Sequence, residues 1–253
     1  MNIVVFDTET TNLEKPFVYN IGYKIVNTDN GWVDLVKHDF VVEQVWHNDM
    51  LFTTAYYSNK REIYVQRMRA RKCFMEKFGY ITQTMIREFK AYDIQFAFAY
   101  NSPFDDKVFQ YNCDWFKCNN PFDNIEIVDI RGYVHKAIAF TPEYQKFCED
   151  NGYFTESGNY STTAETVFRY VMQDTDFVEE HTALSDSHIE TEILKICCEL
   201  YGLTCGEKYK TYQSIKRNID KTLTVMLDGK ETVFHYKNRR NSTDGSKITL
   251  KSE

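Results

Sequence analysis

Asp7 and Glu9 stand two residues apart at the end of the first apolar stretch of the chain. Alternate residues of an extended segment share a face, so the two carboxylates point the same way. Neighbouring acids repel and raise each other's pKa, a conflict that a cation resolves. Their hard oxygen donors suit Mg2+ or Mn2+. In a second grouping Asp105 closes Asn101-Ser-Pro-Phe-Asp105, where a strand gives way to a helix. The third grouping is His181-Thr-Ala-Leu-Ser-Asp186, with Asp186 in the first turn of a helix and His181 on the loop before it. An imidazole, with an unperturbed pKa of about 6.5, takes or gives a proton near neutral pH. Singly, each grouping has an ordinary explanation: acidic pairs are common on surfaces, and an Asp in a first helical turn complements the helix dipole. His38, His47, His135, His188 and His235 lack such company and read as structural or exposed.

The elements that would carry these residues are legible in hydrophobic periodicity. Asn2–Phe6 reads as a buried strand; Val18–Val26 and Trp32–Val42 follow as a hairpin around Asn30-Gly31. From about Asn59 to Tyr92 the pattern is helical, with Ile81, Met85 and Phe89 on one buried face. Arg67, Arg69, Arg71 and Lys72 form a basic cluster there and read as a solvated helix face. Phe96–Tyr100 is a strand, and Ser102-Pro103 signals a helix with Ser102 as N-cap. Ile125–Val128 is a fifth strand. Thr162 and Glu165 read as a capping box opening a helix with an Ala164, Val167, Phe168, Val171 stripe. The last helix runs from about Ala183 to Leu200, with Ile189, Ile193, Ile196 and Leu200 on one face. Strands alternating with helices imply an α/β sheet with helices on its faces, mixed in direction because of the hairpin. Beyond Gly206, Thr222–Leu227 and Glu231–Tyr236 alternate around Asp228-Gly229, a strong hairpin signal, and Lys247–Lys251 offers a further strand.

With 253 residues, 43% hydrophobic and 26% charged, the chain can bury one substantial core. Its net charge of −7 is unevenly spread. From Gly206 onward 11 Lys and Arg face 6 Asp and Glu, while the preceding body carries 19 against 31. An acidic body suits a cation site, and a basic tail suits gripping a phosphate backbone. The seven cysteines contain no C-x-x-C pair, which argues against a zinc site and fits a reducing, cytoplasmic setting. The apolar run before Asp7 is too short for a signal peptide, and no stretch approaches a membrane span.

Taken in order, D-x-E, N-x-x-x-D and H-x-x-x-x-D resemble the three motifs of the DEDDh exonucleases, a family that includes the proofreading epsilon subunit of bacterial DNA polymerase and phage-encoded enzymes. Asp7-Thr-Glu-Thr-Thr-Asn-Leu13 is similar to the family's D-T-E-T-T-G-L, and Tyr160-Ser-Thr-Thr-Ala-Glu165 stands where the family opens the helix before its third motif. His181 lies five residues before Asp186, the histidine-type offset; the tyrosine-type position holds Thr182. Asn12 stands where the family has Gly, a residue able to take a left-handed turn. The segment from Val45 to Ala91 is longer than in compact members, and the stretch after Gly206 has no counterpart that aligns.

The resemblance implies a ribonuclease H-like, mixed five-stranded sheet flanked by helices over residues 1–205, with a small basic β-rich extension over 206–253. It implies that Asp7, Glu9, Asp105 and Asp186 hold two Mg2+ or Mn2+ ions about 3.5–4 Å apart, with His181 as general base. Thr8, Thr10, Leu13 and Asn101 become the substrate-binding candidates, Thr10 toward a terminal 3′-hydroxyl, Leu13 toward the last base and Asn101 at the turn of the second motif. The implied activity is removal of nucleoside 5′-monophosphates from the 3′ end of single-stranded DNA or frayed duplex. An exoribonuclease on short RNA uses the same five groups. A non-catalytic polymerase-accessory module on the same scaffold would be marked by loss of a ligand, and none is lost. A DNA polymerase or other replication protein is the implied partner, although no sliding-clamp-binding peptide stands out.

Overall fold

The computed structural model describes residues 1–217 in full and the backbone of two strands at 220–227 and 230–237. Its elements run β1 (Asn2–Thr10), β2 (Val18–Asn27), β3 (Val33–Val42), α1 (Glu43–Trp46), α2 (Asp49–Phe52), α3 (Arg61–Arg69), β4 (Phe74–Glu76), α4 (Phe78–Ala91), β5 (Phe96–Ala99), α5 (Ser102–Phe116), β6 (Glu126–Asp129), α6 (Ile130–Ala137), α7 (Pro142–Asn151), α8 (Ala164–Met172), α9 (Ala183–Glu199), β7 (Asp220–Leu227) and β8 (Lys230–Lys237). The main sheet has the order β4-β3-β2-β1-β5-β6. β1, β2 and β3 form an antiparallel meander, while β4, β5 and β6 each join their neighbour in parallel.

The sheet is therefore six-stranded and mixed, not five-stranded. The additional strand, β4, is three residues long and falls inside the stretch expected to be helical from Asn59 to Tyr92. Three residues carry too little alternation to register against a helical background, and pairing with β3 is what makes them a strand. The helices α6 and α7, between the fifth expected strand and the Thr162 region, also escape the periodicity reading.

β1 passes through the middle of the sheet and is buried on both faces, with Ile3, Val4, Val5 and Phe6 fully enclosed. Strand alternation divides them. Val4 and Phe6 join one core with Tyr19, Ile21, Ile81, Met85 and Phe109. Ile3 and Val5 join the other with Phe98, Tyr133, Ile189, Ile193 and Leu194. Asp7 continues the row of Ile3 and Val5, so the strand delivers its carboxylate to the side on which α9 packs. Thr8 continues the opposite row, toward α5.

Local detail differs from expectation at three helices, in capping at two and in the buried face of the third. Asn101, left-handed at φ 64°, is the N-cap of α5, and Ser102 is its first residue. Thr163, not Thr162, caps α8 by accepting from the Thr166 N–H. Glu165 instead accepts from Arg169 and from the Glu179 backbone. On α9 the buried face uses Ile189, Ile193, Leu194 and Cys197, whereas Leu200 is exposed just past the helix end. Asn12 keeps a negative φ; its side chain accepts from the Lys15 N–H and donates to Thr54.

β7 and β8 pair antiparallel from Asp220↔Lys237 to Leu227↔Lys230. The Asp228-Gly229 turn, Arg239, Arg240 and the Lys247–Lys251 strand lie outside the described residues. Before this pair the chain crosses α6: the Tyr133 hydroxyl donates to Glu207, His135 Nδ1 accepts from the Tyr212 N–H, and Ile215 bridges to Tyr160. No helix among the described residues is long and apolar enough to cross a membrane.

Candidate active site

The sheet brings Asp7 and Glu9 together with Asp186, one carboxylate oxygen of each lying within 4.8 Å of the others. What makes this possible is a close approach of α9 to β2. Gly22 is the register partner of Asp7, and a Cβ there would lie 2.0 Å from the Leu184 nitrogen. Only glycine lets the helix start sit on the strand at that point. Thr182 gives α9 no side-chain cap. Instead Asn20, fully buried on β2, accepts from the Ala183 N–H at 2.8 Å and donates to Asp39 and to the Phe40 carbonyl. Asp39 in turn receives two hydrogen bonds from Arg67. Arg67 is thus a partner of a buried acid rather than part of a solvated basic face.

These acids sit where ionisation is opposed. Burial, then the charges of Asp105, Glu190, Asp186 and Glu9, hold Asp7 well above the usual carboxylate range. Burial raises Glu9 to about 8, although the Tyr19 hydroxyl and Lys60 work against it. Burial and the charges of Glu179 and Glu9 lift Asp186 to about 9. Among the described residues, the Asp186 Oδ1 and Glu190 Oε2 atoms are buried without a hydrogen-bond partner. A divalent cation would answer both conditions, since it would neutralise the cluster and offer a partner to unpaired carboxylate oxygen; the all-oxygen donor set fits a hard ion.

Asp105 is near but not in this three-carboxylate group. It is 3% exposed, accepts a 2.6 Å hydrogen bond from the Thr8 hydroxyl, and burial pushes it up to about 7. His181 belongs to a second group with Glu179 and Asp186, and its Nδ1 lies 3.5 Å from Glu179 Oε2. Its backbone is left-handed at φ 54°. Burial and then Lys60 depress its pKa below the ordinary histidine value. Asp186 is shared by the two groups and so links the base candidate to the acids.

The expected substrate contacts are scattered around this site. Thr8 is buried and its hydroxyl is directed to Asp105. Thr10 is half-buried just past a bulge in the β1–β2 ladder. Leu13 is 82% exposed. Asn101 is at the surface, its N–H on Asp129 and its side chain accepting from Arg131, an arrangement that shapes the turn before Asp105. Four further residues enter the site unforeseen: Glu190, Glu179, Tyr57 and Lys60. Glu190 had a signal, being four residues after Asp186 and hence on the same helix face. Tyr57 and Lys60 had none, because they come from the long segment between the first two motifs.

No family model and no curated protein matches the sequence. Among solved structures, the chain is similar to the nuclease domain of 3′hExo, a DEDDh family member bound to rAMP, with a TM-score of 0.54 at 15% identity, covering 82% of this chain and 96% of that one. It is also similar to E. coli exonuclease I in complex with a dT13 oligonucleotide, at TM-score 0.53 and 13% identity, and with a dA16 oligonucleotide, at 0.50 and 14%. Those matches cover 78% of this chain and 40–41% of exonuclease I. At this identity the likeness is one of fold.

Proposed function

We propose that this protein, which has the α/β fold of ribonuclease H-like exonuclease domains, is a metal-dependent 3′→5′ exonuclease. The observation that carries the reading is the convergence of Asp7, Glu9 and Asp186 within 4.8 Å, with Asp105 and His181 adjoining. These are the five positions that the sequence motifs select, and they come from one strand end, two helix starts and a loop. Asp7, Glu9, Asp105 and Asp186 would hold two divalent ions, Mg2+ or Mn2+. The ions would supply positive charge to offset that of the scissile phosphate and of the leaving 3′-oxygen.

The protein's own groups do the rest. His181, kept neutral by its surroundings, accepts the proton of the attacking water. Glu179 beside its Nδ1 holds that nitrogen and stabilises the imidazolium that forms. Water attacks phosphorus in line, the bond to the penultimate 3′-oxygen breaks, and a nucleoside 5′-monophosphate leaves behind a new 3′-hydroxyl. Thr10, at the end of β1, and exposed Leu13, just beyond it, would meet the terminal nucleotide. Thr8 serves through Asp105, whose carboxylate it holds, and Asn101 by shaping the turn before Asp105. The substrate we favour is single-stranded DNA or a frayed duplex end, because an acidic body with few fixed cations suits a short, unpaired end better than a long duplex.

A time course on 3′-labelled and 5′-labelled single strands, with Mg2+, Mn2+ and EDTA arms and matched DNA and RNA oligonucleotides, tests this. Mononucleotides should leave the 3′ end first and only with metal. Activity that survives EDTA, or loss from the 5′ end, overturns it; faster turnover of RNA reassigns the substrate to short RNA. An intact fold that binds oligonucleotides without degrading them would support the accessory-module alternative.

A further inference from the structure

The segment between the first two motifs does more than lengthen the chain, because it reaches across the site to the loop that carries His181. The Tyr57 ring stacks on the His181 imidazole, with centroids 4.4 Å apart and planes 14° from parallel. Lys60 donates a 2.6 Å hydrogen bond to the Glu180 carbonyl, the residue preceding His181, and lies over the Tyr57 ring at 4.6 Å. Arg67, one helix further on, reaches Glu180 Oε2 at 3.4 Å while anchored on buried Asp39. Three side chains of one segment therefore contact two consecutive residues of the loop.

A loop residue with positive φ needs such support. His181 holds a backbone conformation that non-glycine residues adopt rarely. Among the described residues its ring has one polar contact, to Glu179 at 3.5 Å, which restrains Nδ1 but not the plane. A face-to-face neighbour supplies the missing restraint. Tyr57 is itself backed edge-on by Tyr56, at 4.8 Å and 90°.

Resting on the nuclease reading above, we propose that Tyr57 is a positioning residue for His181, its ring fixing the imidazole plane while Lys60 tethers the loop. The segment between the motifs is on this view part of the machinery and not an ornament on the surface.

Two measurements test it. The first needs no Tyr57 variant: the His181 ring protons, assigned by their loss in His181→Ala, should be shifted upfield by the tyrosine ring current. The second compares Tyr57→Phe, Tyr57→Leu, His181→Ala and the Tyr57→Leu/His181→Ala double variant. Tyr57→Phe keeps the stack and should retain wild-type turnover. Tyr57→Leu should lower kcat by about 10–100-fold with little change in KM. In the double variant Tyr57→Leu should cost nothing beyond His181→Ala, since it acts through that ring. An unshifted imidazole, additive losses, or a rise in KM at constant kcat overturns the proposal. A wild-type protein with no nuclease activity overturns the functional reading instead, and the ring-current shift still decides whether Tyr57 holds the imidazole.

Discussion

Carboxylates crowded into a buried site ionise reluctantly, and Asp7, Glu9 and Asp186 make that reluctance measurable. Glu9 rises to about 8 and Asp186 to about 9, whereas in an unfolded chain both titrate near ~4. Between about pH 4 and 9 the folded form thus holds protons that the unfolded form has released, and stability declines as pH climbs through that window. Divalent ions bound among these acids would reverse the penalty and release those protons. Thermal melts should fall from pH 6 to pH 9 in EDTA, and much less with Mg2+ present; equal slopes in both arms would mean that these acids hold no ion. Asp186→Asn separates function from stability at the same place. It should abolish hydrolysis and weaken Mg2+ binding, yet raise the melting temperature in EDTA, because folding no longer has to bury an acid that must first take up a proton. A variant that melts lower in EDTA would argue that Asp186 is a structural acid.

At the scale of elements, the seating of α9 on β2 decides whether the site exists. Gly22 permits the contact and Asn20 caps the helix from across the sheet. Gly22→Ala drives a methyl group into the Ala183–Leu184 backbone, and overpacking of this kind costs about 3 kcal/mol or more. Asn20→Ala leaves the Ala183 N–H without its acceptor, and buried Asp39 with one donor fewer, a loss of about 1–3 kcal/mol. Urea unfolding measures both, and Asn20→Ala should lose activity even where it remains folded, since Asp186 and His181 both depend on where the helix begins. The strands and the helices of this layer could be read from alternation and 3.6-residue stripes, as Ile81, Met85 and Phe89 illustrate. Gly22 and Asn20 could not: each is an unremarkable letter within a strand, and its role arises only when a helix from 160 residues away lands on it. The three-residue β4 was hidden for the same reason, since its strand character comes from its partner.

For the whole molecule, a site that reads a terminus predicts asymmetry between the two ends of a strand. A 3′-phosphate should slow degradation strongly, while a 5′ block should not; equal sensitivity at both ends would reject the direction of attack. The charge division, with an acidic body before Gly206 and an excess of Lys and Arg after it, predicts where salt acts. Replacing Arg239 and Arg240 by Gln should weaken binding of oligonucleotides and reduce the salt slope of log KM by about 1–2 units, leaving kcat near its original value. An unchanged slope would take the tail out of substrate binding.

The sequence alone determined which side chains are the candidates for the proposed chemistry and in what chain order, because acids two apart at a strand end, an acid in a first helical turn and a histidine five before another acid are local patterns. Local periodicity likewise determined an α/β sheet covered by helices. The tertiary structure decided everything that depends on encounters between distant segments: that Asp186 comes to Asp7 and Glu9 while Asp105 turns to Thr8, that Glu190 lies among them, and that Tyr57 and Lys60 reach His181. Those contacts follow from register, close approach and the packing of a helix on a sheet, which no spacing along the chain encodes.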